Sequence, residues 1–75
     1  MEPKPGVYYH FKHPDQRYTV IGIALHTETE EDMVVYQRQS DQQLYVRPRD
    51  MFMEEVDKPE FDYKGPRFVY VGPAE

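Results

Sequence analysis

The chain has 75 residues, enough for one domain and too short for two independent cores. Nine Lys and Arg against fourteen Asp and Glu leave a net charge of −5, which argues against generic coating of polyanions but leaves room for a local basic patch. Seven Tyr and four Phe make it too aromatic for a disordered segment, and the absence of Cys excludes a disulfide framework, a thiolate zinc site and a thiol nucleophile.

Met1-Glu2-Pro3-Lys4-Pro5-Gly6 carries no apolar run, so no signal peptide is expected there. The longest apolar run, Val20 to Leu25, has six residues where a membrane helix needs about 20. A cytoplasmic protein with no membrane partner is expected, its lack of cysteine fitting a reducing compartment. The first strand runs from Val7 to Lys12, with Val7, Tyr9 and Phe11 on one face and Tyr8, His10 and Lys12 on the other. His13-Pro14-Asp15-Gln16 reads as a turn. Arg17 to His26 is apolar on both faces, the pattern of a central strand covered on both sides, and Gly22 within it marks a bend or bulge. Glu28-Thr29-Glu30-Glu31-Asp32 reads as a solvated loop. Met33 to Gln39 and Gln43 to Arg47 form a hairpin around Ser40-Asp41. Arg49 to Val56, after Pro48, carries at most one short helical turn. Phe68 to Val71 is the last strand, and Gly72-Pro73 ends a core spanning about residues 6–71. Five short strands in a single all-β domain fit a small SH3-like barrel, with an OB-like barrel as the alternative.

Strict alternation across the hairpin puts Met33, Val35, Leu44 and Val46 on one face, read as core. Tyr36, Arg38, Tyr45 and Arg47 share the other face with Val34. Tyrosines interleaved with arginines suit a planar or anionic ligand, since Arg supplies forked donors and stacking while Tyr supplies a ring and a hydroxyl. The same pairs would also stabilise a plain solvated sheet face. His10 and His26, with Glu28 two positions beyond, supply the residue types of a metal triad, although their spacing matches no helical ligand signature. His13, beside Pro14, is expected to be exposed. No Gly-rich phosphate loop exists, and the lone Ser40 has no neighbouring base, so no enzyme and no cofactor is expected.

Several blocks occur in order: Tyr9-His10-Phe11-Lys12, Tyr18 and Val20-Ile21-Gly22-Ile23-Ala24, His26-Thr27-Glu28-Thr29, Val34-Val35-Tyr36, Val46-Arg47-Pro48, Met51-Phe52 and Pro66-Arg67-Phe68. Together they resemble a small bacterial family known as domain of unknown function 1653, over nearly the whole chain. Two features depart from it. The first turn is His13-Pro14-Asp15-Gln16-Arg17 in place of a short Gly-Asn connection, and Tyr45 stands where the family usually has Trp. The resemblance implies one compact domain and no assigned activity. Its blocks carry His10, His26, Glu28, Tyr36, Arg47 and Arg67, either as a polar network, for example Arg47 or Arg67 paired with Glu28, or as a site. With Tyr45 these form the candidate ligand-binding set. The first reading is a non-enzymatic binding module for a nucleotide, modified base or short single-stranded nucleic acid. The second is a peptide- or protein-interaction module, for which the net charge favours a basic partner. The third is the His10/His26/Glu28 metal site. The domain is expected to act as a monomer or as a weak homodimer through an edge strand.

Overall fold

Strands β1 (Gly6–His10) and β2 (His13–Leu25) are joined by the two residues Phe11-Lys12, with His10 directly opposite His13. The computed structural model describes residues 3–74. β2 pairs next with β3 (Asp32–Arg38), and β3 with β4 (Leu44–Pro48), each antiparallel. After a single helical turn α1 (Arg49–Phe52), a separate two-stranded ribbon forms from β5 (Glu55–Lys58) and β6 (Tyr63–Pro66), linked by a 3-10 turn at Pro59–Phe61. The chain then returns as β7 (Phe68–Gly72) to pair with β1, so the main sheet has the order β4-β3-β2-β1-β7 and leaves β4 and β7 as its edges. The fold is mainly β, and its five-stranded sheet curls without closing.

The five expected strands are those of this sheet, and the β5–β6 ribbon is additional. The turn expected at residues 13–16 is instead the beginning of β2, and the reversal occurs two residues earlier. Pro14 is tolerated there because the first residues of β2 pair with β1 alone, leaving a free edge where no donor is required. Along β2 the register against β3 slips between Val20 and Gly22, placing a bulge at the glycine. The bulge keeps Val20 and then Ile23 on the packed side while Ile21 turns outward. β2 is therefore covered on one face only: Ile21 and Leu25, expected under a second layer, are both exposed.

The core is a set of rings on the concave side of the sheet. Tyr8, Val20, Val34, Tyr36, Phe52 and Phe68 form one buried cluster, with Tyr18, Ile23 and Tyr45 packed against it. Phe52, the one buried residue of α1, stacks on Phe68 at 4.2 Å and meets Tyr8 and Tyr36 edge-on. The helical turn thus acts as a plug over the open side. This arrangement inverts the expected facing of the β3–β4 hairpin. Val34 and Tyr36 are 0% and 5% exposed, whereas Leu44 and Val46 are 55% and 61% exposed. Met33, Val35, Leu44 and Val46 do share a face, but it is the outer one. Curvature and α1 cover the concave side alone, so that is where this sheet buries its large rings.

Candidate functional site

Every strand of the main sheet sends a side chain into one cleft at the end of the concave side nearest the Phe11-Lys12 turn. β1 supplies His10, β2 His13 and Tyr18, β3 Tyr36, β4 Tyr45 and Arg47, β7 Phe68, and the turn supplies Lys12. The convergence follows from register. Tyr36 lies opposite Tyr45 and Val34 opposite Arg47, while His10 lies opposite Phe68. The two residues after buried Tyr8 carry β1 to His10 on the same side of the pleat. The cleft encloses about 320 Å3, near the lower end for small-molecule sites. Two depressions of about 470 Å3 lie elsewhere. One, around Val7, Arg17 and Gln39, gathers no aromatic or basic cluster; the other, around Tyr8, Met53 and Tyr70, is almost wholly apolar. Of these three, the smaller cleft is the one whose described residues combine rings with several cations.

Its rings form a graded wall. Tyr36 is buried and stacks on half-buried Tyr45 at 5.5 Å and 23°, and Tyr18 meets both edge-on. Burial raises the Tyr18 hydroxyl above the usual phenol range. Arg47 lies over the Phe68 ring at 5.3 Å, and Arg38 over Tyr45 at 5.4 Å. Arg38 is held at the rim by Asp41 through a two-pronged ion pair at 2.6 and 2.9 Å, which keeps the Asp41 carboxyl down to about 2. Among the described residues no carboxylate lines the cleft itself.

His10 stands edge-on to Phe68 at 5.0 Å and accepts the Lys12 backbone N–H at Nδ1 (3.2 Å). Burial, followed by the charges of Arg47, Arg67, His13 and Lys12, holds it down to about 4. At neutral pH His10 is an uncharged imidazole whose proton sits on Nε2, because Nδ1 is the acceptor.

Of the seven sequence-derived candidates, His10, Tyr36, Tyr45 and Arg47 meet in this cleft. Arg67 stands at its margin, close enough for its charge to act on His10. Its side chain is committed to Glu54 at 2.5 Å, and its backbone joins Glu54 O and the Phe11 N–H. Among the described residues Glu28, the partner expected for Arg67 or Arg47, forms no ion pair with either. His26 and Glu28 lie beyond the far end of β2, where His26 Nδ1 accepts the N–H groups of Glu28 and Thr29 at 3.3 Å and organises the loop. His10 and His26 thus stand at opposite ends of a 13-residue strand. The expected metal triad is not assembled, and among the described residues no group of three or more His, Cys, Asp or Glu side chains is placed to hold a metal. Sequence reasoning missed Lys12, His13, Tyr18 and Phe68. The two-residue turn that brings Lys12 and His13 to the cleft was hidden by the Pro14 turn signal, whereas the alternation through Tyr18 and Val20 did carry the information.

Comparison with known proteins bears on the whole chain. A family model described as "Protein of unknown function (DUF1653)" matches residues 6–70. A crystal structure of a DUF1653 protein from Bordetella bronchiseptica is 34% identical and superposes with a TM-score of 0.81, covering 97% of this chain and 92% of that one. No curated protein matches. Among the described residues, no helix is long and apolar enough to cross a membrane.

Proposed function

Because the chain belongs to the DUF1653 family, whose description assigns no function, we propose from the site alone that it is a non-enzymatic binding module for a nucleotide or the end of a short single-stranded nucleic acid. One observation supports this reading: a single cleft joins tyrosine rings to Arg47, Lys12 and two histidines, with no carboxylate among its described lining residues. Stacking a base on an exposed ring contributes roughly 1–3 kcal/mol. Tyr45 and Tyr18 keep part of their rings accessible, while Tyr36 backs them. The net charge of −5 repels a long polyanion, and the cleft, at about 320 Å3, is of a size for a single nucleotide.

The test is an amide ¹H–¹⁵N shift titration with nucleotides and short oligonucleotides. Saturable shifts at His10, Lys12, Tyr45 and Arg47, together with at least tenfold weaker binding by a folded Arg47→Ala variant, are expected. A flat titration on a well-dispersed spectrum sinks the proposal.

A further inference from the structure

We infer that the end of the cleft nearest the β1–β2 turn is a phosphate subsite, where Lys12, Arg47 and the His10 imidazole hold the terminal phosphomonoester of the ligand. The inference rests on the binding reading above and narrows its chemistry. The donors come from three separate segments: the turn (Lys12), β1 (His10) and β4 (Arg47). Each offers N–H. Lys12 and Arg47 have no acceptor of their own, and His10 has already spent its acceptor nitrogen on the Lys12 backbone N–H. A ligand group that only accepts hydrogen bonds matches this set, and one carrying its own donors would leave some groups facing each other unpaired.

Charge points the same way. Arg67 is neutralised by Glu54, Arg38 by Asp41 and Arg49 by Asp32. Among the described residues no ion pair forms at Lys12 or Arg47. Their cationic heads lie instead over rings, Lys12 at 5.6 Å from the Phe61 centroid and Arg47 at 5.3 Å from that of Phe68. Two unpaired cations beside a third, histidine-based donor favour a terminal phosphomonoester, with three free oxygens and up to two negative charges, over a bridging diester with two oxygens and one. The tyrosine end of the cleft, walled by Tyr18 and Tyr45, remains for the ring.

The experiment compares the four ribonucleosides, their 5′-monophosphates and inorganic phosphate by shift titration and calorimetry at pH 7.5 and low salt. At least one monophosphate is expected to bind tenfold or more tighter than its nucleoside. Lys12→Gln, at an exposed turn position that the fold does not depend on, is expected to cut that ratio at least threefold. Inorganic phosphate alone is expected to shift the amides around Lys12 and Arg47. Equal affinity for nucleoside and monophosphate overturns the phosphate subsite while the ring-binding reading stands. An unchanged ratio in Lys12→Gln overturns the placement at the turn. No binding by any probe overturns both.

Discussion

Truncating Phe52 to Ala removes the ring by which α1 closes the concave side. Phe52 is 2% exposed, stacks on Phe68 at 4.2 Å and 7°, and touches Tyr8 and Tyr36 edge-on at 5.4 and 5.5 Å. Deleting a buried phenylalanine costs about 3–5 kcal/mol, and a ring packed against three other aromatic residues belongs in the upper half of that range. A domain of this length has on the order of 4–11 kcal/mol in total. Phe52→Ala is therefore expected to remove at least about a third of the stability, lowering Tm by more than about 16 °C. Phe52→Leu, which keeps most of the volume, is expected to cost about 1–2 kcal/mol. Urea unfolding followed by far-UV circular dichroism measures both. A loss below about 1 kcal/mol for Phe52→Ala would refute the plug: the four-residue turn would then be a passive connection, and Phe68 would be held in the cleft by the sheet alone.

Three further perturbations separate the elements of the structure. His10 is uncharged when folded and is held down to about 4, so the unfolded chain takes up the proton first. Its contribution is fully present above pH 6.5 and is lost as pH falls toward 4. Partial exposure reduces the effect to about 1 kcal/mol, and His10→Asn, whose side-chain oxygen can still accept the Lys12 N–H, should flatten the Tm–pH profile over that window. Identical profiles for the two proteins would remove His10 from the account. Gly6 has φ +146° and a Cβ there would lie 2.6 Å from the Gly72 carbonyl oxygen, so Gly6→Ala should cost at least about 2 kcal/mol by thermal melt. Nothing lies within 4 Å of a Cβ at Gly22, and Gly22→Ala should be neutral or slightly stabilising. The opposite ranking would mean that the bulge, not the β1–β7 junction, needs its glycine.

Alternation read from the sequence put Tyr36 with Tyr45 and Arg47, and Met33 with Val35, Leu44 and Val46, and both groupings hold in the structure. What alternation could not decide was which group faces inward. The aliphatic set is the more hydrophobic by composition, but inward facing is set by curvature and by α1, and both depend on contacts distant in sequence. The concave side tolerates two arginines because its end is open, so neither guanidinium is sealed from water. The β5–β6 ribbon was hidden for a different reason. Glu55-Val56-Asp57-Lys58 has one apolar residue and Tyr63-Lys64-Gly65-Pro66 ends in two strand breakers, so neither segment carries a period-two signal. Its turn depends on Asp62 at φ 50°, a backbone choice that composition does not announce. For the histidines, proximity in sequence misled: His26 sits two residues from Glu28 because it orders a loop, while His10 finds its partners across four other strands.

Core and cleft are built from one stack of rings, and this determines how binding has to be measured. Tyr36 is 5% exposed and belongs to the core; Tyr45, stacked on it, is only half-buried and belongs to the cleft. Alanine at Tyr36 deletes a buried ring at about 3–5 kcal/mol and so confounds affinity with unfolding. Alanine at Tyr45 removes a partly exposed ring at about 1–2 kcal/mol, leaving a folded domain whose ligand platform is gone. A ligand at a hundred times its Kd adds about 2.7 kcal/mol to the native state, equivalent to a Tm rise of roughly 10 °C or more for a domain this size. Thermal shift is thus the natural assay: nucleotide should raise the Tm of wild type, and Tyr45→Ala should start lower and show little further rise. If Tyr45→Ala instead keeps the full ligand-induced rise, the stacked tyrosines are packing alone, and the aromatic half of the proposed site is wrong even if an anion binds beside it.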